Sequence, residues 1–207
     1  DMDEKFAASG SRRGPVIAPW PPSELIIPEA APEPPAQLIR WTYSGNLGRA
    51  HEFEALLRAQ RLLEDNASPF ELVFQGGGAL RARAEALAAE LGLKNCRWSE
   101  YADDTDLVLT LLQSHVSIAT QRPEMAGLLW PSKLALLDLL PRPIIWIGPP
   151  EGAIADQLRK RPGINGVFAP GDHAGLASWL AENEEEIRRI DRSGFAAGLI
   201  RMQIGEA

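Results

Sequence analysis

The feature that most restricts how this chain can fold is an alternation that begins at Leu38. Short runs rich in β-branched and aromatic residues each give way to a turn and then to a helical pattern. The clearest instance spans residues 37–53, QLIRWTYSGNLGRAHEF. Residues 38–43 read as a strand. Ser44-Gly45-Asn46-Leu47-Gly48 reads as a turn, and a helix is expected to follow at once, with Phe53, Leu56, Leu57, Ala59 and Leu63 on one face. The unit then repeats. Residues 70–74 (FELVF) predict a second strand, which Gly76-Gly77-Gly78 turns into a helix over 80–91 that Gly92 stops. A short third strand falls at 96–98, with Cys96 read as core. A helix over 103–112 follows, capped by Asp103, Asp104 or Thr105. Residues 116–119 form a fourth strand, and 132–140 a helix with Ser132 at or near its cap. The fifth strand, 143–147 (PIIWI), is apolar throughout, as expected for one buried on both faces. Residues 154–160 are helical and 166–169 form the sixth strand. Asp172 or His173 then opens a helix ending near Glu186, and a last helical stretch covers 187–202. Six strands alternating with helices over short loops predict an α/β fold with a doubly wound parallel six-stranded sheet of Rossmann-like type.

The part ahead of Leu38 has a different texture. Residues 1–9 read as a short helical tail and 16–18 as a short strand. A proline-rich, acidic connector then runs to Pro35. The expected organisation is a lead-in over 1–36, a compact domain over 37–186 and a terminal helix over 187–207. The chain has 207 residues, 45% of them hydrophobic, which is enough for a sizeable core. Its net charge is −7 and its pI about 5.1, so nucleic acid is not the expected partner. A single cysteine, Cys96, excludes an internal disulfide and a cysteine-rich zinc site. No apolar run reaches the ~18–20 residues that span a bilayer. The default setting is therefore cytoplasmic.

Parallel doubly wound sheets bind ligands beyond the carboxyl ends of their strands. Here that rim carries the turns at 44–48, 75–78, 99–101, 119–122 and 148–151. The turn at 44–48 brings glycines, which let a backbone approach closely, to a helix start, whose amides can meet a phosphate. Arg49 adds a full positive charge. His51, His115 and His173 are scattered and read as structural. The run 182–186 reads as a solvated helix face.

Taken together, YSGNLGR, FQGGG, WSEY, a loop with Gly127 followed by PSK, then RPIIWIG and GVFAPGD resemble the C-terminal half of GT-B glycosyltransferases. The likeness is to the retaining family-four enzymes of bacterial polysaccharide synthesis, and it covers roughly residues 16–186. It implies that this half binds a nucleotide-sugar donor, while a separate N-terminal half, absent here, binds the acceptor. Residues 187–202 resemble the helix that crosses back to that half. Any membrane contact would come through the missing domain. The resemblance implies no metal and no cofactor beyond the nucleotide sugar used as substrate. It assigns Arg49 and Lys133 to the leaving diphosphate, Gly45, Asn46, Gly48, Gly77 and Ser132 to the donor-binding loops, and Tyr101 to the nucleoside base. The chain departs from the family at Pro19, which precedes Trp20 where the family often has an Asn, and at three places in the domain itself. Asn46 and His51 stand where the family has Arg and Lys, and Leu136 stands where it has a Glu for the ribose hydroxyls. Asp138, about 200° around the helix from Leu136, points elsewhere. Two rivals remain open: a GT-B-like module that binds a nucleotide or protein without catalysis, and a GT-B sugar-nucleotide epimerase, for which no cleft carboxylates and His could be placed.

Overall fold

The computed structural model describes residues 34–35, 37–103 and 106–190. The expected lead-in helix, the strand at 16–18, most of the connector and the terminal helix beyond Ile190 lie outside the described residues. Six strands are present: β1 (Ile39–Ser44), β2 (Phe70–Gln75), β3 (Cys96–Ser99), β4 (Val116–Thr120), β5 (Ile144–Ile147) and β6 (Gly166–Phe168). All pair in parallel, in the order β3-β2-β1-β4-β5-β6. The doubly wound sheet expected from the sequence is thus the observed one. Winding reverses between β1 and β4, which places the topological switch point above Ser44 and Thr120.

Side chains alternate across the sheet and build two cores. On one face Ile39, Trp41, Tyr43, Phe70, Leu72 and Phe74 pack under α1 (Glu54–Asp65), α2 (Arg81–Glu90), α6 (His173–Glu182) and α7 (Glu184–Arg189). On the other, Ala119, Ile144 and Trp146 pack under α3 (Leu107–Leu112), α4 (Lys133–Leu139) and α5 (Ala153–Lys160). Trp41 and Trp146 are fully buried, and each indole N–H is satisfied, by Gln60 Oε1 at 2.9 Å and by the Pro149 carbonyl at 3.1 Å. Glu71, buried in the sheet, is neutralised from both neighbouring strands by Arg40 and Arg97.

Several local expectations are corrected. The first helix does not follow its turn at once: residues 45–53 intervene before Glu54. The helix expected from residue 103 begins at Leu107, after Asp106, with no side-chain cap. Ser132 precedes α4 without capping it. The helix expected to run to Glu186 ends at Glu182; Asn183, whose N–H and side-chain amide both donate to the Trp179 carbonyl, at 3.1 and 2.8 Å, stands between it and the next helix. Its start is as expected: Asp172 Oδ1 accepts from the Gly175 N–H at 3.0 Å. Cys96 is half-buried against the first core, and burial pushes its thiol up to about 12. Glu182, Glu185 and Glu186 are solvent-exposed, as the run of carboxylates predicts.

Candidate functional site

Three loops meet on the carboxyl rim of β1, β2 and β3, and they are joined through their backbones. The Gly45 N–H donates to Gln75 O at 2.8 Å, the Leu47 N–H to Gly77 O at 2.7 Å, and the Gly76 N–H to Ser99 O at 3.0 Å. Gly76 has φ +117°, and a Cβ there would stand 2.5 Å from the Gly45 carbonyl oxygen. No other residue fits that crossing. The glycines of the first two loops therefore serve the joint between the loops.

The α4 side of the rim holds the site's least conventional group. Lys133 is the first residue of α4, where a cation opposes the helix dipole. Its Nζ is buried and has no hydrogen-bond partner among the described residues. It lies 3.6 Å from the centroid of the Tyr43 ring. A Cβ on Gly45 would come within 3.3 Å of Nζ, so the glycine also makes room for the lysine. Burial pushes Lys133 down to about 7. Beside it is His51, whose ring meets Tyr43 edge-on at 5.7 Å and whose Nδ1 donates to the Thr120 carbonyl at 2.9 Å. That bond fixes Nε2 as the bare nitrogen of the neutral ring. Burial, and then the Lys133 charge, hold His51 down at about 4 against the opposing effect of the Thr120 carbonyl. Tyr43 donates to the Asn46 carbonyl at 2.9 Å, and burial raises its phenol well above the ordinary value.

The site residues expected from the sequence divide into two groups. Gly45, Gly77, Tyr101 and Lys133 are brought together. The Tyr101 ring is 55% exposed and lies over Gly77, where a Cβ would stand 3.2 Å from Cε2. Asn46 and Gly48 belong to the same loop, with the Asn46 amide turned toward Gly48 and the backbone of the second loop. Arg49 and Ser132 are exposed, and neither makes a side-chain hydrogen bond to a described residue. Arg49 occupies a turn closed by the His51 N–H on Gly48 O at 3.0 Å. The expectation that the start of the first helix is open to phosphate is corrected. Glu52 Oε1 accepts from the Ala55 N–H at 3.0 Å, and Glu54 stands in the first turn, so carboxylates already meet that positive end. Leu136 is 6% exposed and belongs to the second core. Asp138 pairs with Arg161 at 3.0 Å, away from the rim. Tyr43, His51 and Arg122 were not among the expected ligand-facing residues. For Tyr43 the only sequence signal is its place one residue before the turn.

A Rossmann-like parallel sheet with a glycine-lined rim and a buried lysine at its switch point agrees with the resemblance to the C-terminal halves of GT-B glycosyltransferases. The family model described as glycosyl transferases group 1 matches residues 30–129. A putative colanic acid biosynthesis glycosyl transferase of Escherichia coli K12, WcaI, is 33% identical over 92 residues, which is 44% of this chain and 22% of that protein. Among solved structures, the lipopolysaccharide outer core galactosyltransferase WaaB matches with TM-score 0.62 at 17% identity, over 96% of this chain and 55% of WaaB. The pneumococcal O-GlcNAc transferase GtfA, solved with UDP and GlcNAc, matches with TM-score 0.60 at 16% identity, over 99% of this chain and 39% of GtfA. The chain is thus similar to the glycosyl transferases group 1 family over just under half of its length, and it shares the fold of WaaB and GtfA. It spans about a fifth of the curated relative it matches and about half of WaaB. Among the described residues no helix is long and apolar enough to cross a membrane, and no three His, Cys, Asp or Glu side chains gather as metal ligands.

Proposed function

We propose that this chain is the donor-binding half of a glycosyltransferase of polysaccharide or glycan synthesis, and that it takes a nucleoside diphosphate sugar on the rim between β1 and β4. The observation that carries this reading is Lys133 Nζ, buried at the switch point with no hydrogen-bond partner among the described residues. A buried ammonium without a counter-ion is costly, and an incoming diphosphate would supply that counter-ion. When the glycosidic bond to the sugar breaks, negative charge gathers on the leaving diphosphate. Lys133, with Arg49 able to swing in from solvent, would stabilise it. Tyr101 offers a ring face to the base, and the 45–48 loop bounds the sugar-phosphate path. The acceptor would be held by a further domain, so the 207 residues alone are not expected to transfer sugar.

GtfA was solved with UDP, which makes UDP-sugars the first candidates. Calorimetric titration with UDP-, GDP- and ADP-sugars tests the proposal. Saturable binding of one of them, weakened by Lys133→Ala and less by Arg49→Ala, supports it. Binding of none, or equal binding by Lys133→Ala, overturns it. Loss of the family's Glu at Leu136 does not by itself favour a binding-only module, because Leu136 is occupied in the core.

A further inference from the structure

Half-buried arginines elsewhere in the molecule face carboxylates: Arg40 faces Glu71, Arg81 faces Glu85, and Arg161 faces Asp138. Arg122 is different. It is half-buried directly beyond β4, in a protein of net charge −7, and forms no ion pair with any described residue. Its position is nevertheless fixed. Its backbone N–H donates to Ala50 O at 2.8 Å, and its Nε donates to His51 O at 3.2 Å. The two terminal nitrogens make no hydrogen bond to a described residue. The residue that Arg122 grips, His51, is the one whose ring feels the Lys133 charge. Among the described residues neither Arg122 nor Lys133 has a counter-ion; Arg122 holds the His51 carbonyl, while the His51 ring and Lys133 Nζ both lie against Tyr43 at the switch point.

We propose that Arg122 is the second cation of the diphosphate site, its guanidinium fork taking phosphate oxygens from the β4 side while Lys133 takes them from the α4 side. This rests on the donor-binding reading and refines it. A guanidinium held through Nε keeps its terminal N–H groups in a fixed fork suited to phosphate. Arg49 has no such hold. It is exposed at the tip of a turn, and its side chain would have to be ordered on binding. Arg122 therefore supplies the positive charge that Asn46 and His51 do not.

The test uses the full 207-residue chain and two probes, UDP by calorimetry and uridine by NMR titration. Arg122→Gln is expected to weaken UDP by about 10- to 100-fold and to leave uridine unchanged. It should also flatten the salt dependence of UDP binding. Arg122→Lys, which keeps charge but loses the Nε hold, should fall between wild type and Arg122→Gln, and it carries the test if the Gln variant does not fold. Unchanged UDP binding overturns the assignment. So does a parallel loss of UDP and uridine, which is what a purely structural clamp on the loop would give. If wild type itself binds no UDP or other nucleoside diphosphate, the donor-binding reading falls and this assignment falls with it. If wild type binds and the variants match it, only Arg122 is struck out.

Discussion

Lys133 Nζ lies 3.6 Å above the Tyr43 ring and touches no hydrogen-bond acceptor among the described residues. The ring face attracts the ammonium but replaces only part of its lost hydration. The lysine therefore waits in a form that releases its proton easily, at about 7.

An arriving diphosphate should reverse that shift, because an adjacent anion favours the charged form. At pH 8, binding should then draw a proton onto Lys133. Calorimetry of UDP in buffers of different ionisation enthalpy should read an uptake of a sizeable fraction of one proton. Lys133→Arg, always charged, should bind with markedly less uptake. Uptake equal in both proteins would count against this account of the lysine.

The same groups set the pH profile of stability. His51 titrates at about 4 in the fold and at 6.5 ordinarily. Between those values the unfolded chain holds more protons, so stability falls as pH drops through that window. Lys133 titrates at about 7 in the fold and at 10.5 ordinarily. Below 7 both states are protonated and the burial penalty is constant; from 7 to about 10.5 stability rises as the folded lysine sheds its charge first. Urea melts from pH 4.5 to 10 should show both slopes. Lys133→Met should abolish the upper slope and stabilise the chain at pH 6 by about 1–3 kcal/mol. His51→Gln should abolish the lower one. Unaltered slopes would contradict both assignments.

Gly76 is expected to be intolerant of any side chain. A Cβ there meets the Gly45 carbonyl, at a φ of +117° that L residues avoid. Gly76→Ala should cost about 2 kcal/mol or more, read as a drop in the urea midpoint. A loss below about 0.5 kcal/mol would mean that the loops part more easily than their hydrogen bonds imply.

Replacing Leu136 by the family's Glu should not restore a ribose contact. Leu136 is 6% exposed among Leu134, Leu137 and Leu140. Leu136→Glu would bury a carboxylate among leucines and should destabilise by about 3 kcal/mol or more, with the carboxyl driven toward its neutral form. Thermal melts would decide it. A variant as stable as wild type that binds UDP-sugar more tightly would show that the side chain can reach the rim.

Tyr101 provides the converse case. Its ring is 55% exposed, so Tyr101→Ala should change stability by only about 0.5 kcal/mol. It should weaken uridine and UDP by similar factors, since both present the same base. Unchanged uridine binding would remove Tyr101 from the base subsite.

The sheet was legible because its signals are local. Strings such as IRWTY, FELVF and IIWI declare themselves, and glycines punctuate their ends. The site was only partly legible, because its decisive contacts join distant parts of the chain. Nothing near Lys133 announces that its Nζ ends on Tyr43, which follows from β1 and β4 being neighbours. Glu52 was invisible as the group that occupies the start of the first helix, since its role needs the extra residues before Glu54. Nothing in the sequence marks Arg122, whose hold on the Ala50 and His51 carbonyls joins loops about 70 residues apart. Asn183 gave no warning that it would stand between two helices.

The backbone seams joining Gly45 to Gln75, Leu47 to Gly77 and Gly76 to Ser99 make one corner of the molecule behave as a single casting. A ligand arriving there would find the backbone of these loops already set, and the rearrangement it needs would fall on the side chains around them. Evolution or engineering would face the reverse side of that economy: lengthening any one of the three turns displaces the other two, so new specificity has to enter through side chains on the rim rather than through new loop lengths.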